Sequence, residues 1–124
     1  MPWQARTEIM GRPDFCCKVT VKKGHHILEV GGDLTFETID RLRKCFRGIQ
    51  EEKAQRVVLD CSAVSILSSV GLGEFSKMFK WGVEQQCVFK LVAYATHVVE
   101  VLEIAGLTDM IPLFPTVDMA LEAK

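Results

Sequence analysis

The sequence predicts an α/β fold: one mixed, mostly parallel sheet with an N-terminal antiparallel hairpin and about four helices. Three observations predict it. Residues 56–60 and 87–92 are compact apolar runs of strand length, the kind a sheet buries on both faces. Each is followed by a stretch in which apolar residues recur at intervals of three and four, the helical period. Ahead of them, two strand-like stretches flank the turn Lys22-Lys23-Gly24-His25. Strands joined through helices need crossover connections, so all but the hairpin should be parallel.

Residues 1–14 carry two prolines, Gly11 and no clear period, and read as a tail or irregular lead-in to one domain over 15–124. Strand character begins at 15–21, and Gly24 supplies a positive φ in the turn that follows. Residues 26–30 return as the second strand, and Gly31-Gly32-Asp33 is expected to break it. Thr35 is the expected N-cap of a helix whose members Phe36, Ile39, Leu42, Arg43 and Phe46 share one spacing, ending near Gly48. After the central strand at 56–60 the chain crosses a turn, and a helix starts near Ser69 with Leu72, Phe75, Met78 and Phe79 on its apolar face. Gly82 marks its end. Residues 87–92 form the next strand, and Thr96 opens a helix with Val98, Val99, Leu102 and Ile104 as apolar members, closed by Gly106. Residues 111–114, with Pro112 and Pro115, suit a short edge strand. Thr116 caps a last helix running to Lys124.

Composition narrows the function classes. A chain of 124 residues that is 48% apolar and 25% charged is an ordered domain of ordinary core size. A net charge of −1 gives no electrostatic footprint for nucleic acid or for an anionic membrane. No apolar run reaches the roughly 18 residues of a membrane span, and 1–14 lacks the apolar segment of a secretory signal. The expected location is therefore cytoplasmic, and the five cysteines are expected as buried free thiols. Their odd number and the lack of a Cys-x-x-Cys pair argue against disulfides and zinc.

No cofactor or metal site is expected. His25 and His26 are adjacent in a turn and read as solvated, and His97 lies in the first turn of a helix. Cys61 has no histidine at a catalytic spacing, and Gly71-x-Gly73 lacks the Lys-Ser/Thr of a phosphate loop. An enzyme built on Cys61 or Ser69 would need a general base that the sequence does not place beside either.

The informative segment runs from Leu59 and Asp60 through Ser68, Ser69, Val70, Gly71, Leu72 and Gly73. A serine where a strand gives way to a helix can cap orphan N–H groups of the first turn. Phosphorylated, it would carry about −1.5 to −2 charge at the positive end of the helix dipole.

These residues resemble the STAS domain family, as found in bacterial anti-sigma-factor antagonists. That family places an aspartate after the central strand, then Asp-Ser-(Ser/Thr/Ala)-Gly-Leu. Here Leu59-Asp60 stands at the strand end, Ser69 at the serine and Gly71-Leu72-Gly73 after it. Val30-Gly31-Gly32-Asp33-Leu34 is similar to the family's Gly-(Glu/Asp)-Leu, and Ala105-Gly106-Leu107 with 111–114 and Ala120-Leu121 to its closing elements. The resemblance covers roughly 15–123. It implies a non-enzymatic signalling protein in transcription regulation that docks to an anti-sigma kinase, with Ser69 as phosphoacceptor and Ser68 as fallback. Asp33, Ser68, Ser69, Val70, Gly71 and Leu72 would then form the partner-binding surface. The chain departs from the family in carrying Ser68 where the acid stands and Val70 after the serine. Two alternatives remain: a cytosolic STAS subunit of a transporter or lipid-transport ATPase complex, and an unphosphorylated STAS signalling scaffold. In either, Ser69 is a contact or a plain N-cap.

Overall fold

The hairpin forms as its turn chemistry requires. β1 (Cys16–Lys22) and β2 (His25–Leu34) pair antiparallel across Lys23 and Gly24, whose φ values are 52° and 75°. Two positive φ values in a two-residue loop match the right-handed twist of the flanking strands. The computed structural model describes residues 15–123, so the expected lead-in at 1–14 lies outside them; the last helix ends at Glu122, with Ala123 extended, short of the expected end at Lys124.

α1 (Ile39–Glu51), β3 (Arg56–Leu67), α2 (Ser69–Glu84), β4 (Val88–Val92), α3 (Thr96–Ile104), a 3₁₀ turn at Leu107–Asp109, β5 (Leu113–Phe114) and α4 (Val117–Glu122) follow. Sheet order is β1-β2-β3-β4-β5, parallel from β2 onward. Strand alternation sorts the core into two layers. Leu28, Val30, Leu59 and Leu91 join Leu42, Phe46, Phe75, Met78 and Leu102 beneath α1, α2 and α3. Ile27, Val58 and Val92 turn the other way, onto Ala120 and Leu121 of α4. The Thr116 hydroxyl caps α4 by accepting from Met119 N at 3.1 Å, and Gly106, at φ 81°, closes α3, both as the sequence indicates.

Several expectations are corrected. Gly31 and Gly32 do not end β2; the strand continues to Leu34, paired with Ala63, Val64, Ile66 and Leu67. A Cβ at Gly31 would stand 3.0 Å from Cys16 Sγ and 3.2 Å from Ala63 Cβ, so glycine serves close approach there. Nor does Thr35 cap α1. The Thr38 hydroxyl donates to Asp33 O at 2.8 Å and accepts from Thr35 N at 3.0 Å, holding residues 35–38 as a turn. Phe36 is thereby carried off the helix and is 80% exposed, while α1 starts at Ile39 and runs past Gly48. Ile104, expected in the core, is 87% exposed at the end of α3.

β3 extends far beyond Asp60 because it contains two bulges. Its register with β2 steps from Glu29–Asp60 to Gly31–Ala63, and again from Gly32–Val64 to Asp33–Ile66. Each step takes one more residue of β3 than of β2, which bends the strand and re-aims its side chains. At the first, Asp60 Oδ1 accepts from Ser62 N at 3.0 Å and Ser62 Oγ at 2.6 Å.

His25 is not solvated. It is 3% exposed at the start of β2, with Nδ1 2.9 Å from Lys23 O and Nε2 3.4 Å from Lys90 Nζ. A carbonyl only accepts, so Nδ1 carries the proton and Nε2 is left to accept from Lys90. The buried Lys90 ammonium also donates to Ala120 O and Ala123 O, each at 2.7 Å, and so ties down the C-terminal end of α4. Burial, and then the nearby Arg56 charge, lower its pKa. His26 likewise has a partner, Glu52 Oε1 at 2.6 Å. The cysteines are free thiols, but only Cys61 is fully buried: Cys17, Cys45 and Cys87 are half-buried, and Cys16 is exposed. No helix among the described residues is long and apolar enough to cross a membrane.

Candidate functional site

The end of β2 and the end of β3 lie side by side, with Asp33 opposite Ile66 and Leu34 opposite Leu67, and the chain turns from there into α2. Ser68 makes the turn. Its N–H donates to Leu34 O at 3.1 Å, its hydroxyl donates to the same carbonyl at 2.9 Å, and its Oγ accepts from Gly71 N at 3.4 Å. Ser68 is therefore the N-cap of α2, a role the sequence had left open for Ser69.

Ser69 is the first residue of the helix and is exposed. Among the described residues its hydroxyl makes no hydrogen bond, whereas both functions of the Ser68 hydroxyl are engaged. Orphan N–H groups of the first turn lie beside Ser69, and the first turn of α2 holds no acidic residue. An anionic group on Ser69 Oγ would thus meet the positive end of the helix with no like charge from that turn.

Gly71 sets how closely α2 approaches the strands. A Cβ there would stand 2.8 Å from the Leu34 side chain and 3.0 Å from Leu67 Cδ1. Leu34 is fully buried, so helix and strand ends are locked in contact through the missing side chain. Leu72 packs half-buried on the main core, and Val70 faces outward. Asp33 offers its carbonyl to Thr38, while its Oδ1 is buried without a hydrogen-bond partner among the described residues. The structure thus joins Asp33, Ser68 and Gly71 through the Leu34 backbone and side chain, with Ser69 and Val70 on the exposed side.

Sequence reasoning missed three further exposed residues at the C-terminal ends of the parallel strands. Phe36 follows β2, Ile66 lies near the end of β3 at 52% exposure, and Tyr94 follows β4 at 68%. Phe36, Ile66 and Val70 lie within a few residues of the paired Leu34 and Leu67 and add apolar surface beside Ser69, whereas Tyr94 follows the Asp60–Val92 pair, at the foot of the β2–β3 extension. Phe36 was hidden by its false helical spacing. The bulges, which no residue pattern announces, hid the strand position of Ile66.

Surrounding contacts brace this edge. His97 Nε2 donates to Ser65 O at 3.0 Å, fastening α3 to the second bulge. Arg43 bridges α1 and α2, with Nε 3.0 Å from Glu74 Oε1 and Nη1 3.0 Å from Asp40 Oδ1. Glu74, and to a lesser degree Asp40, raise the pKa of its guanidinium. Cys61 lies in the main core at the first bulge, where burial and the Asp60 charge push its thiol pKa up and leave it a poor nucleophile. Among the described residues no cluster of three His, Cys, Asp or Glu side chains is placed to hold a metal.

Residues 17–120 match the STAS domain family. No curated protein matches the chain in sequence. Among solved structures, an anti-sigma factor antagonist from Mycobacterium paratuberculosis is similar at 26% identity and a TM-score of 0.81, over 87% of this chain and 92% of its own. The Bacillus cell fate determinant SpoIIAA is similar in its phosphorylated form at 14% identity and TM-score 0.67, over 88% and 97% of the two chains. Its unphosphorylated form gives 15% and 0.71, over 88% and 94%. The SpoIIAA likenesses concern the fold alone. The sequence match spans most of the chain and the architecture is that of the anti-sigma factor antagonists: this chain belongs to the STAS domain family.

Proposed function

We propose that this chain is a non-enzymatic, cytoplasmic interaction switch that docks to an anti-sigma kinase or a related regulator and is controlled by phosphorylation of Ser69. One observation carries the reading: the Ser68 hydroxyl is spent on Leu34 O and Gly71 N, while the Ser69 hydroxyl is exposed and unengaged among the described residues. Ser68 is thereby disfavoured as fallback acceptor, since phosphorylating it would break the cap of α2. The docking surface in this reading comprises Asp33, Ser68, Ser69, Val70, Gly71 and Leu72, widened by Phe36 and Ile66. A phosphate on Ser69 would reverse docking by placing charge at the centre of an apolar contact. The similarity to an anti-sigma factor antagonist, and to a fold relative known in phosphorylated and unphosphorylated forms, supports the proposal.

The test mixes the protein with the kinase encoded beside it and ATP. Phosphate is expected on Ser69, with binding kept in Ser69→Ala and weakened in Ser69→Asp. An unmodified Ser69, with equal binding by both variants, overturns the switch. A second reading, a subunit of a transporter ATPase complex that uses Ser69 as a contact only, is favoured by the neutral Ser68 in the place of the family's acid. Recovery of a transporter ATPase and no kinase in a pull-down would support it.

A further inference from the structure

A second site lies on the flank of the sheet, where β1 packs on α1. Cys17 points from β1 toward the helix, and its Sγ lies 3.5 Å from Arg41 O. In an α-helix the carbonyl of residue 41 faces the N–H of residue 45, so this contact brings the Cys17 thiol beside Cys45. Both cysteines are half-buried, packed on the main core, and Cα atoms of β1 and α1 approach within 8 Å. Cys17 is held protonated: its pKa is pushed up to about 12, first by burial and then by the neighbouring Cys45 thiol. The adjacent Cys16 projects to the opposite face, over Gly31, and is turned away from α1.

We infer that Cys17 and Cys45 form a redox-active dithiol that closes to a disulfide on two-electron oxidation and staples the edge strand β1 to α1. A hydroperoxide converts the Cys45 thiol to a sulfenic acid and leaves as the alcohol, or as water from hydrogen peroxide. Cys17 then gives up its proton to the departing hydroxyl as its sulfur attacks the Cys45 sulfur, so that the S–S bond forms and water leaves; because Cys17 is held as a thiol, this is the slow step. Two electrons and two protons pass from the thiols to the peroxide. The closed loop spans about 30 residues and contains β2 with the turn at 35–38, so the staple restrains the segment that leads to the serine-bearing edge.

The test treats reduced full-length protein with hydrogen peroxide, blocks remaining thiols under denaturing conditions, and maps peptides without reduction. One intramolecular link between the peptides of Cys17 and Cys45 is expected, with two thiols lost per chain. Tm should rise by roughly 10 °C and return on reduction. Cys16→Ser and Cys87→Ser should keep the link, and Cys17→Ser and Cys45→Ser should lose it. A link through Cys16, a disulfide between chains, sulfinic acid without a link, or Cys17 and Cys45 both still blocked after excess peroxide would each overturn the inference.

Discussion

Ser68→Ala removes two hydrogen bonds that Ser69→Ala leaves untouched, and the difference can be read as stability. The lost cap to Gly71 N is long, at 3.4 Å, which puts it at the lower end of the range of about 0.5–2 kcal/mol for N-caps. The lost donation to Leu34 O at 2.9 Å is worth about 1 kcal/mol. Leu34 O keeps the Ser68 N–H at 3.1 Å, so no buried carbonyl is orphaned and no larger penalty applies. The sum is about 1.5 kcal/mol, or a fall in Tm of about 6 °C for a domain of this size. Ser69→Ala at an exposed helical position should change stability by less than about 0.5 kcal/mol, since alanine is the better helix former. Urea titrations of both variants, with unchanged m-values, measure the gap. Equal losses, or a larger loss at Ser69, would refute the assignment of the cap to Ser68 and with it the argument that the Ser69 hydroxyl is free.

Gly82→Ala would place a Cβ 2.5 Å from the Phe89 ring, itself packed against Phe46 and Phe79, and should cost about 2–3 kcal/mol in chemical denaturation. Lys90→Met should cost about 3 kcal/mol, because it leaves Ala120 O, Ala123 O and His25 Nε2 without their shared donor; faster amide exchange in α4 than in α1 would identify the cause. The thiols of Cys17, Cys61 and Cys87 are all shifted up by burial, Cys87 to about 11. A folded-state pKa above the unfolded value gives stability that is complete below about pH 9 and is lost as pH rises through the folded value. Stability measured from pH 9 to 11 should therefore fall, by at least about 1 kcal/mol per unit while the fully buried Cys61 remains a thiol. In a disulfide-exchange assay at pH 8, Cys16 should react first and Cys61 only with unfolding.

Most of the architecture was legible because its signals are local. The apolar runs of β3 and β4, the Lys23-Gly24 turn and the Thr116 cap each carry their physics in a few adjacent residues. What escaped depends on contacts between distant segments. The β2–β3 pairing holds Gly31 and Gly32 in a strand against their low intrinsic preference. The Thr38 side chain uses the Asp33 carbonyl to delay α1, which no count of apolar spacing reveals. His25 and Lys90 are 65 residues apart, so neither announces the buried hydrogen bonds they share. At the site, the strand-to-helix junction and Gly71 were readable, but which hydroxyl caps was not, because Leu34 O lies 34 residues before Ser68 and decides the matter.

The unequal reach of the central strands bears on how the site can move. β3 and β4 last pair at Asp60 and Val92, whereas β2 and β3 continue together to Leu34 and Leu67. Beyond Asp60 the chain travels as a two-stranded ribbon, and ribbons coil more steeply than wide sheets. The serine thus rides at the tip of a short extension whose inner face, Leu34 and Val64, is part of the main core. A protein that grips the tip therefore reaches the core directly: tilting it costs ribbon hydrogen bonds and the His97 fastening, and it also moves Leu34 and Val64 against α2.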